Sequence, residues 1–162
     1  MEAGTYVIRG GTEGRERLRL LAEVMAPSTR ALLGEAGVPA GAVCLDVGCG
    51  GGDVTRELAR AAGPAGRVLG VDLDAVKIDI ARAESAQAGV SNVVFEARDV
   101  TAWEPAGTFD VVYARFLLTH LSRPGDLLST MRRHVRPGGA MIVEDIDFRG
   151  HFAEPECRAL ER

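Results

Sequence analysis

Five short apolar runs separated by amphipathic stretches restrict what this chain can fold into. Residues 42–47, 67–72, 93–97, 109–114 and 140–146 are nearly continuously hydrophobic, as expected of strands buried on both faces. Residues 53–62, 74–88 and 124–135 between them have helical character. Asp74 is placed to cap the second of these helices, and Gly89 to stop it. Pro137, Gly138 and Gly139 are expected to end the third helix and turn the chain into the fifth strand. Strands alternating with helices predict an α/β fold: an open, mainly parallel sheet with right-handed crossovers and helices on both faces. Ligands of such sheets sit beyond the carboxyl ends of the strands.

Ahead of the first strand, residues 13–36 carry Leu18, Leu21, Met25, Leu32 and Leu33 among charges. Pro27 is expected to split them into two helices, because it lacks an N–H and clashes with the preceding turn. Residues 1–40 then read as an N-terminal helical cap and 41–162 as the core of one structural domain, which suits a length of 162 residues. A net charge of -4 argues against a nucleic-acid partner, and Arg132, Arg133 and Arg136 read as a solvated helix end. No apolar run reaches the roughly 20 residues of a membrane helix, and no signal-peptide pattern opens the chain, so no membrane partner and a cytoplasmic location are expected. Cys44, Cys49 and Cys157 lack paired spacing, which indicates neither a disulfide framework nor a metal site.

The first strand runs directly into Asp46-Val47-Gly48-Cys49-Gly50-Gly51-Gly52-Asp53. Glycines let a backbone turn tightly and approach a ligand; without a ligand the same loop is simply a strand-to-helix turn. Asp53 stands where a dinucleotide fingerprint needs its third glycine, and with Asp46 it places two carboxylates where a pyrophosphate would lie. A ligand with a cationic amino group fits better. About 20 residues on, the second strand ends at Asp72, where an acid can accept from ribose hydroxyls while Asp74 caps the helix. Asp99 follows the third strand, either as an acceptor for an adenine amino group or as an ordinary turn residue.

The segments Cys44-Leu45-Asp46-Val47-Gly48-Cys49-Gly50-Gly51-Gly52, Gly70-Val71-Asp72, Arg98-Asp99-Val100, Phe109-Asp110-Val111-Val112-Tyr113-Ala114-Arg115 and Arg136-Pro137-Gly138-Gly139 recur in the order found in one family. Over residues 40–147 the chain resembles the class I methyltransferases, in particular the small-molecule branch that includes ubiquinone and menaquinone C-methyltransferases. The resemblance implies a Rossmann-like fold that binds S-adenosylmethionine and releases S-adenosylhomocysteine. It places Asp46, Gly48, Cys49, Gly50 and Gly51 around the methionine part, Asp72 on the ribose and Leu73 against the adenine. Asp99 and Val100 would hold the adenine, and Ala114 and Arg115 would border the methionine end and the opening towards the methyl group. Tyr6, Gly10, Gly11 and Arg15 look like the N-terminal segment of some of these enzymes, with Tyr6 and Gly11 closing over the site.

The implied reaction is methyl transfer to a small-molecule acceptor by in-line displacement, with the protein contributing mainly orientation. His120, Glu144, Asp145 and Asp147 are the candidates for a base, His120 and Glu144 being retained as the catalytic pair. His120 also fits a packing role, as does Trp103. The family continues into two further strands that this sequence lacks, leaving 141–143 as an apolar edge that the rest of a longer protein or a second copy would cover. The competing readings are a non-catalytic cofactor-binding module and an NAD-dependent oxidoreductase.

Overall fold

The computed structural model describes residues 11–147. Helix α1 (Gly11–Ala36) leads into β1 (Val43–Val47), α2 (Asp53–Ala62), β2 (Arg67–Asp72), α3 (Ala75–Gln87) and β3 (Val93–Ala97). After the third strand come β4 (Phe109–Arg115), a 3-10 turn (Leu118–His120), α4 (Pro124–Arg133) and β5 (Val135–Glu144). All five strands are parallel, in the order β3-β2-β1-β4-β5. The chain thus builds outward from β1 in one direction and then in the other. The reversal lies between β1 and β4, where a crevice opens at the carboxyl ends.

Alternate residues of each strand enter separate cores. Cys44, Val68, Val111, Tyr113 and Ile142 pack with Leu33 of α1 and Val54, Leu58, Ala59 and Ala62 of α2. Leu45, Val47, Val71, Val112 and Ala114 face the other way, against Leu127 and Met131 of α4. Phe95 joins Ile78 and Ala81 of α3 in a smaller cluster. Its ring fills the space over Gly70, where an added Cβ would come within 2.8 Å of it. Among the described residues, no helix is long and apolar enough to cross a membrane.

Two expectations built on proline are corrected. Helix α1 is assigned without interruption from Gly11 to Ala36, with Pro27 inside it. Contacts on both sides of Pro27 hold the two halves: Arg15 pairs with Asp53 and Glu84, while Thr29 bonds to Glu144 and Arg30 to Glu57. The Ser28 hydroxyl also donates to the Met25 carbonyl at 2.9 Å, within the turn that the proline weakens.

The fifth strand begins at Val135, so Pro137, Gly138 and Gly139 lie within it rather than before it. The β4–β5 register shifts between Phe109 and Val111, which pair with Val135 and Ala140, so Pro137 lies in the unpaired stretch between those partners, where a missing N–H costs no ladder bond. Asp110, at that shift, accepts from Val43 N–H at 2.7 Å and pairs with Arg136. A Cβ on Gly139 would lie 2.7 Å from the Asp110 carbonyl oxygen. Two of the motifs that carry the family resemblance therefore join the amino ends of β1, β4 and β5, opposite the crevice.

Candidate functional site

The loop after β1 turns through Gly48, Gly50 and Gly52, all at positive φ. A Cβ on Gly48 would lie 2.9 Å from Leu117, so this position is closed to larger residues by space as well as by backbone. Gly48 N–H and Cys49 N–H both donate to the Val71 carbonyl, at 2.8 and 2.9 Å. Gly50 N–H donates to Asp72 Oδ2 at 2.9 Å, and Gly52 N–H to the Cys49 carbonyl at 2.9 Å. Amides spent in this way cannot form an anion cradle, which is a firmer reason against a pyrophosphate than the loop's charge.

The charge argument itself changes. Asp53 is neutralised by Arg15, in a two-pronged pair at 2.7 and 2.9 Å, and by Arg56 at 2.6 Å. Arg15 also grips Glu84 at 2.8 and 2.5 Å, and Arg56 donates to the Gly51 carbonyl at 2.9 Å. This four-residue network ties α1, α2 and α3 beneath the loop.

Asp72 accepts Asp74 N–H on Oδ1 and Gly50 N–H on Oδ2, both at 2.9 Å. A carboxylate offers about four acceptor positions, so two remain for a ligand, enough for a pair of vicinal hydroxyls. Asp74 caps α3 as expected, accepting from Val76 and Lys77 N–H.

Asp46 is fully buried beside the loop, and Thr55 Oγ1 donates to it at 2.6 Å. Burial raises its pKa to about 6, against the opposing pull of Thr55 and of Arg115. Because the folded value exceeds the usual 3.8, the folded chain holds this proton more tightly than the unfolded chain does. Asp46 thus makes stability fall as pH rises from about 4 to about 6. Asp46→Asn is expected to flatten that slope and add on the order of 2 kcal/mol above pH 6. Urea unfolding of both forms at pH 4, 6 and 8 checks this; a difference independent of pH would refute it.

One open cleft of about 680 Å³ gathers Asp46, Gly48, Cys49, Gly50, Gly51, Asp72, Arg115 and His120. Leu73, Asp99, Val100, Ala114 and Glu144 do not line it. Leu73 is exposed, Ala114 is buried in the sheet, and Val100 packs towards Trp103 in the α4-side core. Asp99 is exposed beyond β3; its pKa is lowered by the Thr101 hydroxyl and amide, which bond to it at 2.7 and 2.9 Å. Glu144 Oε2 accepts from Tyr113 OH and, at 2.9 Å, from Thr29 Oγ1, and burial raises its pKa. Asp145 accepts from Leu118 N–H at 2.9 Å. Tyr6 and Gly10 lie outside the described residues, and Gly11 is the first residue of α1.

Sequence reasoning missed much of the rest of the wall. Arg17, Leu18, Leu20, Leu21 and Val24 of α1 line the cleft, with Lys77, Phe116, Leu117 and Ile146. A second stripe of α1, Leu20 and Val24 at one-turn spacing, was the available signal. Cys49 also lines the cleft; burial first, then Asp46 and Asp72, hold its thiol pKa well above the ordinary value.

A family model described as a methyltransferase domain matches residues 44–139, from β1 into β5. This chain belongs to the methyltransferase-domain family. The methyltransferase domain is 38% identical over 111 residues to a ubiquinone biosynthesis O-methyltransferase of Burkholderia orbicola, covering 67% of this chain and 46% of that protein. Its fold matches a SAM-dependent methyltransferase from Aquifex aeolicus with a TM-score of 0.69 at 24% identity, over 76% of this chain and 66% of that one. The DhpI–SAM–HEP complex matches with a TM-score of 0.63 at 28% identity, over 77% and 56%. The chain spans about half the length of the curated relatives it matches.

Proposed function

We propose that this domain transfers a methyl group from S-adenosylmethionine to a small-molecule acceptor. The observation that carries the reading is the donor set of the cleft: Asp72 keeps two acceptor positions free while the amides of Gly48, Cys49, Gly50 and Gly52 are engaged. Such a site suits a ribose and a cationic amino-acid end, and not a dinucleotide. Family membership and the similarity to a ubiquinone biosynthesis O-methyltransferase and to the DhpI–SAM–HEP complex support the same reading.

The cofactor would supply an electrophilic sulfonium methyl group, which an acceptor attacks in line as S-adenosylhomocysteine departs. The chain's residues have the tasks of holding and orienting. Asp72 takes the ribose hydroxyls, Asp46 and the loop 48–51 flank the amino-acid end, and Leu73, Asp99 and Val100 are assigned to the adenine. Ala114 backs the same end from within the sheet. Of the two catalytic candidates, His120 lines the cleft and is assigned to take the acceptor's proton where one must leave. Glu144, engaged by Tyr113 and Thr29, is assigned to hold α1 against the sheet. Among the described residues β5 pairs on one side only, and Met141 on it is 41% exposed; a second copy is the pairing partner we assign to the other side. A clean monomer in size-exclusion chromatography would remove that part.

Calorimetric titration with S-adenosylhomocysteine and, separately, NAD tests the cofactor. Micromolar binding of S-adenosylhomocysteine with none of NAD is expected, on the order of -8 kcal/mol. The reverse preference would make the chain an oxidoreductase-type domain instead.

A further inference from the structure

Helix α1 carries two stripes with different fates. Arg15, Ala22 and Thr29, at seven-residue spacing, and Leu33 one turn further on are buried against the rest of the chain and account for the docking of the helix. Leu20, Leu21 and Val24 follow the helical spacing of three and four on another face and line the cleft, yet Leu20 is 61% exposed and Val24 67%. Arg17, exposed on that face one turn earlier, ends the apolar stretch with a charge.

Other elements extend the same lining. Phe116 and Leu117 follow β4, and Ile146, 52% exposed, follows β5. Phe116 stands there at φ 51, the one non-glycine residue at positive φ among those described. A bulky side chain in that conformation is strained, and such strain is kept at ligand clamps and active sites. Large apolar side chains gathered at one exposed concave surface mark a binding groove.

Chemistry divides the cleft. The loop 48–51, Asp46 and Asp72 suit a sugar and a cationic amino-acid end. Leucine, valine and isoleucine offer such a ligand nothing, because a charged or hydroxyl-rich group set against them without a partner loses free energy. The apolar wall is left to the other reactant. His120, three residues after Leu117, lines the same cleft and carries the proton-accepting candidate.

We propose that Leu20, Leu21, Val24 and Ile146 form the acceptor subsite, and that the acceptor is an uncharged molecule with an apolar body. This rests on the methyltransferase reading above and names the class of molecule that receives the methyl group. Because α1 lies outside residues 44–139, the segment matched by the family model, the selectivity belongs to this chain's own N-terminal helix.

The test uses phenol and its para-ethyl, para-butyl and para-hexyl derivatives, uncharged at neutral pH, as acceptor probes in calorimetry on the full chain saturated with S-adenosylhomocysteine. Affinity is expected to rise about two- to fourfold for each added methylene, the gain for carbon taken out of water. Para-hydroxybenzoate, a charged counterpart, is expected to bind no better than phenol. In a Leu20→Ser, Val24→Ser double variant the rise should fall below about 1.5-fold per methylene, with S-adenosylhomocysteine affinity within about twofold of wild type. Leu20→Met with Val24→Ile should keep the rise. A series that does not depend on chain length, or a rise that survives the serine pair unchanged, overturns the proposal. So does self-association of the wild-type chain that the serine pair alone abolishes, which makes the stripe an interface between copies. A chain that does not bind S-adenosylhomocysteine fails the methyltransferase reading; one that binds it but shows a flat series fails the acceptor class alone.

Discussion

Asp72→Ala is expected to weaken S-adenosylhomocysteine binding by about ten- to hundredfold, the worth of charge-assisted hydrogen bonds to a sugar. The same carboxylate holds the loop by Gly50 N–H and the start of α3 by Asp74 N–H, so alanine also releases two backbone donors. Leaving a sheltered donor unpaired costs about 1–3 kcal/mol, and the free chain should be measurably less stable as well. Asp72→Asn separates the two effects: it keeps one carbonyl oxygen for the backbone but loses the charge. Calorimetry for affinity and urea unfolding without ligand for stability read them independently. A folded alanine variant with wild-type affinity would remove Asp72 from the site.

The second large effect is expected at Arg15. Arg15→Met keeps the stem but leaves Asp53 and Glu84 with Arg56 as their shared cation. Removing one partner from a buried ion pair costs about 3–5 kcal/mol; because these carboxylates are partly open to solvent and Arg56 remains, about 2–3 kcal/mol is expected. The loss should depend on pH in a defined direction. Arg15 lowers the Glu84 pKa below its usual 4.5, so the stabilisation is complete above that value and disappears as pH falls through the lower, folded-state value. Unfolding curves for both forms should differ most near neutrality and converge in acid. A gap that stays constant down to pH 3 would show that Arg15 acts by packing alone.

The strands were legible because each carries its own signal. Residues 67–72 and 93–97 form β2 and β3 at the expected bounds, and Asp74 caps α3 as its position suggested. A strand buried on both faces, as β2 is over most of its length, must be apolar throughout. β3, at the end of the strand order, carries the same apolar pattern but leaves Val94 and Ala97 exposed, so the expectation of burial on both faces does not hold for it. The two proline misreadings have the opposite cause. Pro27 stays inside a helix because Arg15, Thr29 and Arg30 reach partners 38, 115 and 27 residues away, and Pro137 stays inside a strand because it falls in the register shift against β4. At the site, the loop and Asp72 are contiguous motifs and could be read directly. The grip of Thr29 on Arg115 spans 86 residues and has no local pattern to betray it.

Cys49 sits in this cleft as a protonated thiol, with burial, Asp46 and Asp72 all opposing its ionisation. The thiolate is the reactive form of cysteine. If the cleft takes the sulfonium ligand proposed for it, a thiolate at this position would be open to alkylation by that ligand. The acids that suit the cleft to a cationic ligand also oppose ionisation of the Cys49 thiol, so on the proposed reading attraction of the ligand and protection from it are one electrostatic property.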